Sequence, residues 1–97
     1  MSSEGQTKKA YQLSIQGRVQ GVGFRYSAIR AADRYGVTGW VRNESDGSVS
    51  AFCAGTKEAT DNFIAWCRRG PSTAYITRVD VQEVPYRGRY SSFSVSF

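Results

Sequence analysis

Gly17-Arg-Val-Gln-Gly-Val-Gly-Phe-Arg25 joins two segments of different periodicity. Upstream, Tyr11, Leu13 and Ile15 alternate with Gln12, Ser14 and Gln16, the pattern of a half-buried strand. Downstream, Phe24, Ala28, Ala31, Ala32 and Tyr35 recur at helical spacing and form one apolar stripe. The stretch between carries Gly17, Gly21 and Gly23, has no acidic residue and ends in Arg25. This predicts a strand–loop–helix unit whose loop is open to an anion. N–H groups at a helix N-terminus have no partner within the helix and carry partial positive charge. Glycines let the backbone curl so that several N–H groups converge. Arg25 adds a forked donor suited to two phosphate oxygens.

Working outward, residues 1–9 read as a flexible N-terminal tail, because they hold too few apolar groups to pack. Gly36 is placed to end the first helix. Residues 37–43 form a second strand, Asp46-Gly47 supplies a hairpin turn, and residues 48–54 return with Val49, Ala51 and Cys53 on one side. Thr56 can cap a second helix whose apolar face is Ala59, Phe63, Trp66 and Cys67, and Gly70-Pro71 ends it. A fourth strand falls within 76–85, residues 86–92 read as loop, and Phe93, Val95 and Phe97 alternate into a short last strand. The order β-α-β-β-α-β plus a short C-terminal strand is the ferredoxin-like split βαβ pattern. It predicts an α+β fold, with two helices on one face of a mainly antiparallel sheet.

Ninety-seven residues are one domain's worth of chain, and 13 Lys/Arg against 8 Asp/Glu leave a formal +5, which attracts anions. Histidine is absent, so imidazole is excluded as base, phosphate carrier or metal ligand. Cys53 and Cys67 lack metal-ligand spacing and read as small buried apolar groups. No cofactor or metal is expected. With no signal peptide and no membrane-length apolar run, a cytoplasmic, reduced setting is the expectation. Trp40 and Trp66 read as core or semi-core aromatics, and Arg42, Arg68, Arg69 and Arg78 as solvated charges.

The loop fails the common phosphate motifs. A P-loop ends in Gly-Lys-Ser/Thr, and this one ends in Gly-Phe-Arg. Gly21-Val-Gly23 starts like a dinucleotide fingerprint, but Tyr26 stands where the third glycine belongs. A phospho-cysteine route needs a cysteine at the head of such a loop, and both cysteines lie elsewhere. Pattern alone therefore leaves two readings open: an anion cradle, or a glycine-rich turn with a surface arginine.

Taken with Gly39-Trp-Val-Arg-Asn43 and Asp46-Gly-Ser-Val49, the loop resembles the acylphosphatase family, and the resemblance runs from residue 11 to 97. It implies one acylphosphatase-like domain over 10–97. The implied activity is hydrolysis of a carboxyl-phosphate bond to carboxylate and inorganic phosphate, without a metal. The family's phosphate-binding arginine falls on Arg25 and its water-orienting asparagine on Asn43. The cradle of backbone N–H groups falls on Gln20, Gly21, Val22, Gly23, Phe24 and Arg25. With no histidine available, a phosphate oxygen of the substrate is expected to take the water's proton. The expected partners are a small-molecule acyl phosphate and inorganic phosphate, with no nucleic acid and no membrane, and the expected state is a monomer.

Two other classes fit less of the chain. RNA-recognition modules share the fold order and stack bases on strand aromatics. Here the outward side of strand one is Gln12, Ser14 and Gln16, strand three offers only Phe52, and their Lys/Arg-Gly-Phe signature is absent. Acylphosphatase-like domains also occur inside larger maturation proteins. A chain stopping at Phe97 with no partner domain predicts a free enzyme instead.

Overall fold

The computed structural model describes residues 7–97. Its elements are β1 (Lys8–Arg18), α1 (Phe24–Tyr35), β2 (Thr38–Asn43), β3 (Val49–Thr56), α2 (Lys57–Arg69), β4 (Tyr75–Val84) and β5 (Phe93–Val95). One five-stranded sheet has the order β4-β1-β3-β2-β5. β1 runs antiparallel to both β3 and β4, β2 runs antiparallel to β3, and β5 joins β2 in parallel. This is the ferredoxin-like α+β arrangement.

β1 starts at Lys8, inside the stretch read as tail; residues 1–6 lie outside the described residues. Its polar start is strand because β3 extends far enough to pair with it. Lys8 sits opposite Thr56, and Lys9 Nζ reaches Glu83 at 3.1 Å on β4. At the other end a register shift between Gln16 and Gly17 marks a bulge, and the chain leaves the sheet there toward the glycine loop.

The core lies between the sheet and both helices. Leu13, Ile15, Val41, Val49, Ala51 and Cys53 project from one sheet face into a single cluster with Phe24, Ala28, Phe63, Trp66 and Cys67. Ring contacts tie its elements together. Trp66 lies 5.4 Å from Phe24, centroid to centroid, and Phe63 lies 5.3 Å from Phe93. Thr56 caps α2 by accepting from the Ala59 N–H at 3.0 Å, a bond worth about 1 kcal/mol. Gly36 and Gly70 end the two helices, their N–H groups donating to Ala32 and Trp66. No described helix is long and apolar enough to cross a membrane.

The sheet's other face adds contacts that the sequence reading had not named. Trp40 is half-buried on the side away from the helices, stacked on Phe52 at 6.4 Å, and Tyr90 of the 85–92 loop contacts Phe52 at 5.3 Å. Arg42 and Arg78 keep their solvent contact but are also partnered. Arg42 lies over Trp40 at 4.8 Å and pairs with Glu44 at 2.8 Å, and Arg78 pairs with Asp80 at 2.7 Å. Alternation explains all of this: even-numbered positions of β2 and β3 face away from the core. There the aromatic rings cover one another and the arginine stem.

Candidate active site

β1 and β2 both run antiparallel to β3, so they are parallel to each other and end at the same edge of the sheet. The loop after β1 and the residue that ends β2 therefore meet. A hollow of about 280 Å³ opens there, lined by Gly21, Gly23, Phe24, Arg25 and Asn43, with Val19, Tyr26, Ile29, Val95 and Phe97 as apolar walls.

The loop backbone follows from its glycines. Gly21 and Gly23 have φ of 73° and 78°, in the left-handed region that a side chain disfavours. Gly23 is the N-cap of α1, and no side chain caps it; the first helical bond is Ser27 N–H to the Gly23 carbonyl at 3.0 Å. The N–H groups of the first turn thus have no side-chain acceptor, and no acidic residue sits in that turn. That end can receive an anion.

Arg25 enters none of the ion pairs among the described residues, which join Lys9 to Glu83, Arg42 to Glu44, Lys57 to Asp61 and Arg78 to Asp80. Its guanidinium lies 5.9 Å from the Phe97 ring. Asn43 sits on the core-facing side of β2, two residues from buried Val41, and is exposed at the strand end. Glu44, next in sequence, is held by Arg42 on the other side. The Arg42 bond, with a further one from Ser50, keeps its carboxyl below the ordinary 4.5. Asp46 is lowered likewise by the Ser48 hydroxyl and N–H, at 2.6 and 2.9 Å. The hairpin's acids are thus anionic and engaged.

Gln20 and Val22 give the hollow no side chain. The Gln20 side chain turns to the hairpin, and its Nε2 donates to the Glu44 and Ser48 carbonyls at 2.7 and 2.8 Å. It fastens the loop to the β2–β3 turn that carries Asn43. The Val22 side chain packs on the core, and its carbonyl accepts from Thr73 Oγ1 at 2.6 Å. Sequence reasoning missed the Gln20 and Thr73 bonds, and also Phe97 as a wall of the hollow. An amide between glycines in a loop is the one trace of the first.

A wider hollow, about 410 Å³, lies on the outer sheet face between Gln12, Trp40, Arg42 and Asp80. It has no helix N-terminus, and its charged groups Arg42 and Asp80 are paired with Glu44 and Arg78. Volume alone does not make it the better site.

Fold and loop together define the class: a ferredoxin-like α+β domain with a glycine loop leading into its first helix. Comparison with known proteins narrows this. The acylphosphatase family profile matches residues 11–95. An acylphosphatase of Thiobacillus denitrificans is 52% identical over 85 residues, covering 88% of this chain and 93% of that protein. The crystal structure of acylphosphatase from Bacillus subtilis superposes with a TM-score of 0.88 at 32% identity, covering 92% of this chain and 99% of the other. Full-length HypF, in its phosphate- and nucleotide-bound form, matches at a TM-score of 0.81 and 28% identity; 94% of this chain covers 12% of that one. The chain belongs to the acylphosphatase family and is an enzyme of that kind.

Proposed function

We propose that the enzyme hydrolyses acyl phosphates by direct attack of water on phosphorus. The observation that carries this is the meeting of Arg25, the uncapped start of α1 and Asn43 around one hollow. Arg25 and the N–H groups of Gln20 to Arg25 hold the phosphate and favour the charge of the transition state. Asn43 offers a carbonyl acceptor and an amide donor, and holds the water in line with the bond to be cleaved. The water oxygen bonds to phosphorus, the bond from phosphorus to the acyl oxygen breaks, and the pair of electrons leaves with the carboxylate. A phosphate oxygen of the substrate takes the water's proton.

A covalent cysteine route is disfavoured on physical grounds. Both thiols are buried, and desolvation pushes the Cys53 thiol up to about 12. The apolar walls, Tyr26 and Phe97 among them, give the acyl group a place beside the cradle. The enzyme acts as a cytoplasmic monomer on a small molecule, with no metal.

The test is hydrolysis of benzoyl phosphate and acetyl phosphate in a chelator, run in ¹⁸O-water. The label is expected in inorganic phosphate. No turnover of either compound by folded protein overturns the proposal, and label in the carboxylate overturns the attack on phosphorus.

A further inference from the structure

The Val22–Gly23 peptide is held from outside the loop. Thr73 lies in the turn between α2 and β4, and its hydroxyl donates to the Val22 carbonyl at 2.6 Å across a separation of 51 residues. That turn is itself closed, Ala74 N–H donating to the Pro71 carbonyl at 3.0 Å. Thr73 does not line the hollow, whereas Gly23 does.

A trans peptide is planar, so its C=O and N–H point in opposite directions. A carbonyl turned out to Thr73 directs the Gly23 N–H the other way, and it is Gly23 that lines the hollow. The loop has little else to fix that direction. Gly21 and Gly23 flank the segment, and a Cβ built on either meets no atom within 4 Å. Glycines in open space can rotate their peptides at small cost. Gln20 fastens the loop's entrance to the hairpin, but its bonds lie on the far side of Gly21.

We infer that Thr73 is a positioning residue of the phosphate cradle, fixing the Val22–Gly23 peptide so that the Gly23 N–H faces a bound phosphate oxygen. The inference rests on the reading of this loop as the cradle. It adds the α2–β4 turn to a site otherwise built from β1, α1 and the hairpin.

The experiment uses the full chain with Thr73→Val, which keeps the shape and removes the hydroxyl, and Thr73→Ser, which restores it. Thr73→Val is expected to raise the inhibition constant of inorganic phosphate and KM for benzoyl phosphate together, by about 3- to 10-fold, the range for one lost neutral hydrogen bond. kcat changes less, Tm stays put because Thr73 is exposed, and Thr73→Ser matches the parent. In ¹⁵N spectra, the Gly23 amide shift on titrating inorganic phosphate shrinks in Thr73→Val and returns in Thr73→Ser. An unchanged inhibition constant, with or without a drop in Tm, overturns the inference, as does an equal loss in both variants. Those results differ from failure of the parent reading, in which the unmodified protein neither turns over acyl phosphate nor binds phosphate.

Discussion

Arg25 and Asn43 face one hollow from two elements, and their side chains offer different things. Arg25 brings a permanent charge that no carboxylate among the described residues neutralises. Asn43 brings an uncharged donor and acceptor. Their replacements should therefore separate. Arg25→Ala is expected to lose nearly all turnover and, with it, inhibition by inorganic phosphate. Asn43→Ala should lose about 10²- to 10³-fold in kcat, the usual cost of one preorganised group, while phosphate inhibits as before. Steady-state kinetics with a phosphate titration decide this; wild-type kcat in Asn43→Ala would end the water-positioning role. Both positions were picked out in the sequence by the family resemblance, which rests on the motifs that Arg25 and Asn43 close. The side-chain bonds of Gln20 and Thr73 were not. Their partners are main-chain carbonyls, and a carbonyl leaves no mark in a sequence. Only the fold brings Thr73 to Val22 or Gln20 to the hairpin.

The β2–β3 hairpin carries Asn43, and two of its features can be tested. Gly39 has φ of 140°, and a Cβ there would collide with the Phe52 carbonyl of β3. Gly39→Ala should cost at least about 1–3 kcal/mol, read as a lower urea midpoint with an unchanged slope. A variant as stable as the parent would show that the strands can separate without loss. The turn itself depends on pH through Asp46. Its bonds from the Ser48 hydroxyl and N–H lower its pKa below the ordinary 3.8. A depressed carboxyl contributes stability above its unfolded value, and that contribution is lost as pH falls through the folded one. Asp46→Asn should thus lower Tm at pH 7, and the gap to the parent should close as the pH drops below about 4. Thermal melts by circular dichroism at several pH values measure it. A gap that stays constant down to pH 2 would remove Asp46's charge from the account. The hairpin's place was readable from Asp46-Gly47 between two apolar runs. Its outward contacts were not, because Arg42 stacked on Trp40 requires knowing which face lies away from the helices.

For the molecule as a whole, periodicity located both helices and the order of strands, since amphipathic spacing reports burial directly. α1 spans Phe24–Tyr35 as expected, and α2 begins after its predicted cap at Thr56. What periodicity missed depends on long-range pairing. β1 gains Lys8 and Lys9 from the length of β3, and β5, legible from its alternation, stops at Val95, short of Phe97, where its parallel ladder with β2 ends. The closed core gives a last prediction that concerns every element at once. Cys53 on β3 and Cys67 on α2 are both buried, unpaired thiols in the single cluster between sheet and helices. Desolvation raises Cys53 from 9.0 to about 12, and Cys67 well above 9.0. With a pKa near 12, Cys53 is thiolate in only about one molecule in ten thousand at pH 8, and the thiolate is the reactive form. An aromatic disulfide reagent should therefore label neither cysteine in buffer at pH 8 and both at once in denaturant. The neutral thiols contribute their stability in full below pH 9, and lose it as the pH climbs from there toward 12. Labelling should accordingly become measurable in that upper range, in step with the loss of the far-ultraviolet helix signal. Rapid labelling of the folded protein at pH 8 would mean that α2 leaves the sheet far more often than the packing of its Trp66 on Phe24 and its Phe63 on Phe93 allows.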